Sequence, residues 1–478
     1  MFKFKIYQLF IPLALGLAVL GCKAPAIVAP TARTAVPESF DSAGADTVNM
    51  ARIPWKTFFS DTNLVHLIDI ALQNNQELNI TLQEIEIAAN ETLMRKGAIL
   101  PSVSAGGGIG MEKVGRYTSQ GAGDASTEIT PGKEVPEVLF DFAPAVYANW
   151  EVDIWKKLRN AKKAAVTRYL STIEGKNFVV TNLVAEIADS YYELLALDGQ
   201  LQIVRQNIEI QKNALEVIKN QKAAAQATEL GVQKFQAEVL SSQSLEFDIL
   251  QKIREVENRI NFLLGRFPQE IKRSKTDFLS LAPAGVHAGI PPDLLTNRPD
   301  IRQAELELAA AGIDVQVARA EFFPSLEISA AFGLQAFNPS YLFKLPESLL
   351  FNLAGDMAGP IINRNAIRAE FNKASAQQIQ AMYNYERSIL NAYLEVSTEL
   401  SNISNLEKRY ALKSQQVEAL NKAISLSNDL FKSARADYLE VLMTQRDVLD
   451  AKLELLEIKR DMLSAGVQVY RELGGGWK

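Results

Sequence analysis

Cysteine and histidine are almost missing from this 478-residue chain, which holds one cysteine, Cys22, and two histidines, His66 and His287. The histidines lie on opposite sides of the first long helical stretch and read as surface or packing residues. A histidine–cysteine metal site is therefore excluded, and serine or cysteine triads have almost nothing to work with. No catalytic residue, metal or cofactor is expected. The carboxylates are many but scattered among Lys and Arg, which reads as a solvated face. Net charge is only −6 and no basic block occurs, so nucleic acid is not an expected partner. Beyond the N-terminal segment there is no run of about 18 apolar residues, so no helix is expected to span a bilayer. A chain of this kind can cross one only as a closed β-barrel, which leaves no backbone group unpaired. Proline is absent from Ala145 to Phe267 and from Ile361 to Lys478. Two stretches of this length, rich in Ala, Leu, Glu, Gln and Lys, predict very long helices.

What is present begins with a secretory signal over residues 1–21: Lys3 and Lys5, then an apolar run from Ile6 to Leu20. On composition alone, a lone cysteine in an exported chain is a stray thiol or an intermolecular disulfide. Cys22, however, directly follows Val19-Leu20-Gly21, a string that resembles a lipobox. That position favours a covalent lipid, which is an anchor rather than a span. Lys23 stands where an aspartate would retain a lipoprotein at the inner membrane, which favours the outer membrane. Residues 22–60 then read as a lipid-anchored tether, rich in Ala, Pro, Thr and Ser as far as Met50. The cluster Pro54-Trp55-Lys56-Thr57-Phe58-Phe59 closes it as a packing anchor.

The rest reads as an internal duplication, 61–285 and 286–478. Ala71-Leu72-Gln73-Asn74-Asn75 matches Leu294-Leu295-Thr296-Asn297-Arg298, and Leu100-Pro101-Ser102 matches Phe323-Pro324-Ser325. Asn261-Phe262-Leu263-Leu264-Gly265 matches Tyr470-Arg471-Glu472-Leu473-Gly474. Each long helical stretch contains a turn, at Gln226 to Gly231 in the first half and Arg435 to Leu439 in the second. Each half also holds two segments of strand character: Ser102 to Met111 and Val138 to Ile154, then Ser325 to Leu334 and Leu349 to Ile361. Leu326, Ile328 and Ala330 alternate with Ser325, Glu327 and Ser329, a weak dyad pattern of the kind barrel strands show. Four strands cannot close a barrel, which needs about eight. They form either a soluble sheet or one part of a barrel shared between copies.

The stretch from Phe431 to Trp477 carries a resemblance. Its apolar residues, among them Leu439, Leu442, Leu449, Leu453 and Leu456, recur at three- and four-residue steps. That spacing alone says bundle or coiled-coil helix. The strings ADYLEVLMTQRDVLDA and VYRELGGGW, however, closely resemble the C-terminal helix of TolC-like outer-membrane efflux channels. The likeness is to the lipoprotein branch that serves resistance-nodulation-division (RND) pumps. Arg298-Pro299-Asp300-Ile301-Arg302-Gln303-Ala304-Glu305 resembles the signature RPDIRxAE, with Asn297 and Asp300 placed as helix caps. Trp150-Glu151-Val152-Asp153-Ile154-Trp155 resembles the junction WELDLFG, with Trp155 and Lys156 in place of Phe-Gly. The resemblance covers nearly everything from Arg52 to Trp477.

It implies a mainly α fold with a membrane β-barrel. Duplicated long helical hairpins would form a trimeric α-barrel in the periplasm, and four strands per chain would enter a shared twelve-stranded barrel. The implied function is a passive exit duct for drugs and small molecules, working with a periplasmic membrane-fusion adaptor and an RND-type pump. A duct for type I secretion and a periplasmic coiled-coil scaffold without a pore are the alternatives. The family pattern YLxVLDAQR falls on Tyr438 to Arg446. It implies a pore gate at Leu439, Glu440 and Met443, with Arg446 and Asp447 as further charge carriers. Met443 replaces the family's aspartate, and three methionines would make a dry plug where three aspartates would attract cations. As an i, i+4 pair, Leu439 and Met443 read equally as core residues between hairpins. The hairpin tips imply adaptor docking at Ala225 and Ala227 in the first half and Ala434 and Ala436 in the second. Ala225 and Ala434 stand where the family often has glycine.

Overall fold

The computed structural model describes residues 24–40, 48–274, 277–283, 285–360, 364–433 and 435–478. Its main elements repeat in order and its long helices in length, while the first half adds a short helix, Ser119–Asp124, and a small hairpin, Glu128–Thr130 with Lys133–Glu134, between its strands. The first half runs α1 (Thr62–Asn74), α2 (Gln76–Gly97), β1 (Ser102–Glu112), β2 (Leu139–Val152), α3 (Lys157–Ala223) and α4 (Glu229–Leu263). The second runs α5 (Pro299–Ala320), β3 (Ser325–Leu334), β4 (Leu349–Ala358), α6 (Asn365–Lys432) and α7 (Tyr438–Glu472). A single turn, Leu294–Asn297, stands where α1 stands. α2 and α5 have 22 residues each, α3 and α6 have 67 and 68, and α4 and α7 have 35 each. The two proline-free stretches are thus the two long hairpins. Among the described residues no helix is long and apolar enough to cross a membrane.

The hairpin turns are tighter than the sequence suggests. At the end of α3, Gln226 N–H donates to Gln221 C=O and Ala225 N–H to Lys222 C=O, the paired bonds of a Schellman motif. Thr228 then caps α4 by accepting from Gly231 N–H at 3.2 Å. The second turn repeats the outer bond, Arg435 N–H to Leu430 C=O. Leu230, Gly231 and Leu439, expected in turns, are therefore already helical. Ala225 sits at φ +55, a left-handed conformation that costs a residue with a Cβ about 1–2 kcal/mol. Glycine would hold this conformation without that cost. Lys156, in the place of the glycine of WELDLFG, is strained in the same way at φ +61.

The two compact units of the chain cut across the repeats. One unit holds residues up to Thr31 with Ile87–Tyr169 and Leu306–Met382. It contains a four-stranded antiparallel meander in the order β1-β2-β3-β4. Beside the sheet, Trp155 stacks on Phe323 at 4.7 Å, and its indole N–H donates to Pro324 C=O at 2.7 Å. Val315, Ala318, Phe322, Phe371 and Ala374 form an apolar cluster on which Ala24 and Ile27 of the N-terminal segment pack.

The other unit holds Ala32–Glu86, Leu170–Glu305 and Tyr383–Lys478. Its core is helical, with Ile187, Tyr191 and Leu194 of α3, Ile260 of α4, Val396 of α6 and Val469 of α7 all fully buried. Phe40 stacks on Tyr393 and Arg33 N–H donates to Glu386, so the segment before Phe40 is pinned to α6. The aromatic cluster is a packing anchor: Phe58 stacks on Tyr470 at 4.1 Å, and Tyr470 O–H donates to Ile53 C=O.

Each hairpin is locked where its second helix ends. Gly265 and Gly474 end α4 and α7 in left-handed turns, at φ +65 and φ +88. A Cβ on either would overlap a carbonyl, that of Asn74 or that of Asn297. Asn75 donates to Leu263 C=O at 2.9 Å, and Arg298 donates to Glu472 C=O at 3.0 Å. These are corresponding positions in the two repeats. The expected caps at Asn297 and Asp300 are not formed. Asp300 instead takes both ends of the Arg298 guanidinium, at 2.9 and 2.7 Å, because a buried arginine outranks exposed backbone as a claim on a carboxylate. Glu395 completes the clamp at 2.7 Å.

Candidate functional site

The antiparallel register sorts the strand residues onto two faces. Directly paired residues share a face, and the pairing Val103–Ala148, Ile109–Phe142, Val146–Phe332, Phe332–Phe351 and Ala330–Leu353 puts apolar side chains together. Every residue in this register, from Val103 across to Met357, is apolar or glycine. Ile109, Phe351 and Leu353 are each at least three-quarters exposed. An exposed apolar surface of this extent calls for a covering, either lipid or protein.

The other face is mostly small or polar, with Ser102, Ser104, Tyr147, Asn149, Ser329 and Asn352 among its members and Leu139 and Leu350 as its large apolar residues. Across it Glu151 pairs with Glu327, and Glu327 with Asp356, so three strands set three carboxylates side by side. Lys157 holds Glu151 at 2.5 Å. Like charges directly opposite weaken a sheet unless water reaches them, so this face is built for water. Among the described residues, β1 and β4 pair on one side only and leave the meander with two open edges.

At the other candidate surface, α7 opens with Asp437 at its N-cap position. Val441, Gln445 and Leu449 are buried, while Glu440, Met443, Arg446 and Asp447 point away from that packed face. Leu439 is half-buried and Met443 is 60% exposed. The helical period therefore gathers the five predicted gate residues on one unpacked side of the first three turns. Met443 is not a core residue within this chain. Arg446 lies 3.9 Å from Asp450, one turn on.

At the tips, Ala225 is exposed, and Ala227 packs on the cluster of Leu215, Ile218, Val232, Phe235 and Val239. Tyr438, Leu442 and Phe431 of the second hairpin join the same cluster, and the Tyr438 ring covers Gly231. The two tips thus form one packed body. Ala436 is half-buried, while Ala434 and Cys22 lie outside the described residues. His66 and His287 are both exposed, on separate segments. Among the described residues no group of His, Cys, Asp and Glu is disposed to hold a metal ion.

The family model for outer membrane efflux proteins matches residues 67–266 and 290–475, one span in each repeat. The chain belongs to that family. It is 30% identical over 438 residues to the pyoverdine export outer membrane protein OpmQ of Pseudomonas aeruginosa, covering 91% of this chain and 90% of OpmQ. It is 26% identical over 476 residues to the cation efflux system protein CusC of Escherichia coli, covering 98% of each. The crystal structure of a membrane protein from Pseudomonas aeruginosa superposes with a TM-score of 0.84 at 24% identity, covering 95% of this chain and all of that one. The chain is an outer-membrane protein and the channel component of an efflux system.

Two features of this efflux protein escaped the sequence reading. The carboxylate row needs the strand register, because Glu151, Glu327 and Asp356 are far apart in sequence. The Arg298 clamp hides in a signature that looks like ordinary helix capping. The spacing of Arg298 and Asp300 was the only local signal, and it does not show that the arginine is buried.

Proposed function

We propose that three copies of this efflux protein join edge to edge, so that their strands close one twelve-stranded barrel across the outer membrane. The observation that carries this reading is the meander with one wholly apolar face, one polar face and two open edges. Only closure satisfies both the faces and the edges in a bilayer. The apolar face meets lipid, and the polar face lines a water-filled lumen that carries the row Glu151, Glu327 and Asp356 from each copy. The row favours cations over anions at the base of the barrel.

The repeats 61–285 and 286–478 supply the helical hairpins, which assemble side by side as an α-barrel in the periplasm. Leu390, Leu394, Leu412 and Leu426 of α6, exposed in the single chain, support packing against a neighbouring copy. A covalent lipid on Cys22 anchors the mature chain to the outer membrane, and the pinned segment 24–40 leads from it. Leu439, Glu440, Met443, Arg446 and Asp447 form the gate, with Met443 as the dry ring. The tips around Ala225, Ala227, Ala434 and Ala436 receive a periplasmic adaptor coupled to an RND-type pump. The duct is passive and does no chemistry on its cargo of drugs and other small molecules.

Single-channel conductance in planar bilayers tests this reading, comparing wild type with Leu439→Ser/Met443→Ser. The expected result is a quiet wild type and a sustained current through the double variant. Equal currents would move the gate elsewhere, and silence from both, in preparations shown to be folded trimers, would overturn the duct.

A further inference from the structure

A pocket of about 130 Å³ lies against the C-terminal end of α7. Thr181 and Asn182 of α3, Arg298 and Asp300, Glu395 of α6, and Arg471 and Glu472 of α7 are on its wall. Glu472 is 8% exposed, and its Oε2 atom has no hydrogen-bond partner. Thr181 Oγ1, on the same wall, is also buried and unpartnered. A bare carboxylate oxygen in such a place is costly, whereas a carboxyl group can carry its proton there and donate it.

The charges around Glu472 point the same way. Arg298 is already occupied by Asp300 and Glu395, and Arg471 reaches Glu472 Oε1 only at 3.3 Å. Glu395 and Glu399 of α6 add negative charge, and both keep contact with solvent. One turn and more back along α7, Asp189 of α3 accepts from Ser464 at 2.7 Å and from Gln468. Glu399 faces Asp189 as well, with Arg471 as the opposing charge. Two arginines therefore stand among five carboxylates, and of the five only Glu472 is buried. Burial pushes the Glu472 carboxyl up to about 7 and the Asp189 carboxyl up to about 6.

We propose that Glu472 is a proton-binding group that fastens the C-terminal end of α7 to its neighbours, making the channel protein responsive to periplasmic pH. With its proton bound, the Glu472 side chain sits in its socket without charge. As pH rises, the unfolded chain gives up this proton first, and the folded chain must hold it or bear buried charge. Stability therefore falls with rising pH, from the ordinary carboxyl range up to the folded-state value, and is then level. Glu472→Gln keeps the shape of the protonated side chain and removes its titration.

The test is thermal unfolding of the purified full-length protein across about pH 5 to pH 8.5, with infrared difference spectra over the same range. Wild type should lose stability on going up, and a protonated-carboxyl band should fade near neutral pH. Glu472→Gln should flatten the upper part of the profile and be more stable than wild type at the alkaline end. Glu395→Gln removes one of the negative charges facing Glu472 and should move the fading of the carboxyl band to lower pH. Equal slopes in wild type and Glu472→Gln, or no carboxyl band below neutral pH, would overturn the proposal. Neither readout depends on channel conductance, so failure here is separable from failure of the duct.

Discussion

The two hairpins end in the same backbone lock with different chemistry in it. At the first, Asn75 reaches Leu263 C=O, and the residue whose carbonyl is grasped is itself apolar. At the second, Arg298 reaches Glu472 C=O while holding Asp300 and Glu395. The glycines behave alike, since Gly265 and Gly474 each close on the carbonyl of a preceding asparagine. Duplication has kept the geometry that the backbone demands and freed the side chains. One lock is neutral and insensitive to its surroundings, and the other is charged and can respond to them. The same divergence marks the opposite ends of the hairpins, where Leu230 and Lys234 stand in the places of Leu439 and Met443.

The largest effect should come from moving the gate substitutions between hairpins. Leu230→Ser/Lys234→Ser is expected to leave conductance as quiet as wild type, in contrast to the sustained current of Leu439→Ser/Met443→Ser. Matching currents from the two doubles would show that the hairpins share the constriction. Next, Arg298→Ala should destabilise by about 3 kcal/mol, because it removes a buried guanidinium from Asp300, Glu395 and Glu472 C=O together. Asn75→Ala should cost about 1–2 kcal/mol, the loss of one buried pair of bonds. Denaturant unfolding that reverses this order would mean that the charged lock adds responsiveness but little strength.

Gly265→Ala and Gly474→Ala should each cost at least about 2 kcal/mol, combining left-handed strain with overlap on a carbonyl. Here the two halves should agree, and a clear difference would break the claim that the backbone lock is common to both. The smallest effect is a gain. Ala225→Gly and Lys156→Gly should each raise stability by about 1 kcal/mol by relieving positive φ at a residue with a Cβ.

The helices were legible from the two long proline gaps, and their lengths from the matched strings around Asn74, Asn297, Gly265 and Gly474. The family resemblance around Tyr438 to Arg446 located the gate candidates, and the helical period then placed them on one side. The strands were harder. In β1, glycines at 106, 107, 108 and 110 fill both faces, so the alternation that marks β3 disappears until pairing with β2 restores it. Asn297 and Asp300 looked like caps because capping is a local rule. The clamp that replaced it depends on Glu395, about a hundred residues away. Glu472 looked like one more charged residue at a helix end, and nothing local marks it as buried. What the sequence withheld was set by long-range pairing in each case.

The open edges of the meander have a genetic consequence. If every barrel draws its strands from three chains, no chain is tested alone, and a faulty β1 or β4 edge is presented to two sound neighbours. An allele damaged there, while still able to dock through its helices, would spoil assemblies made with wild-type copies. It would act dominantly, and more strongly than a null allele of the same gene.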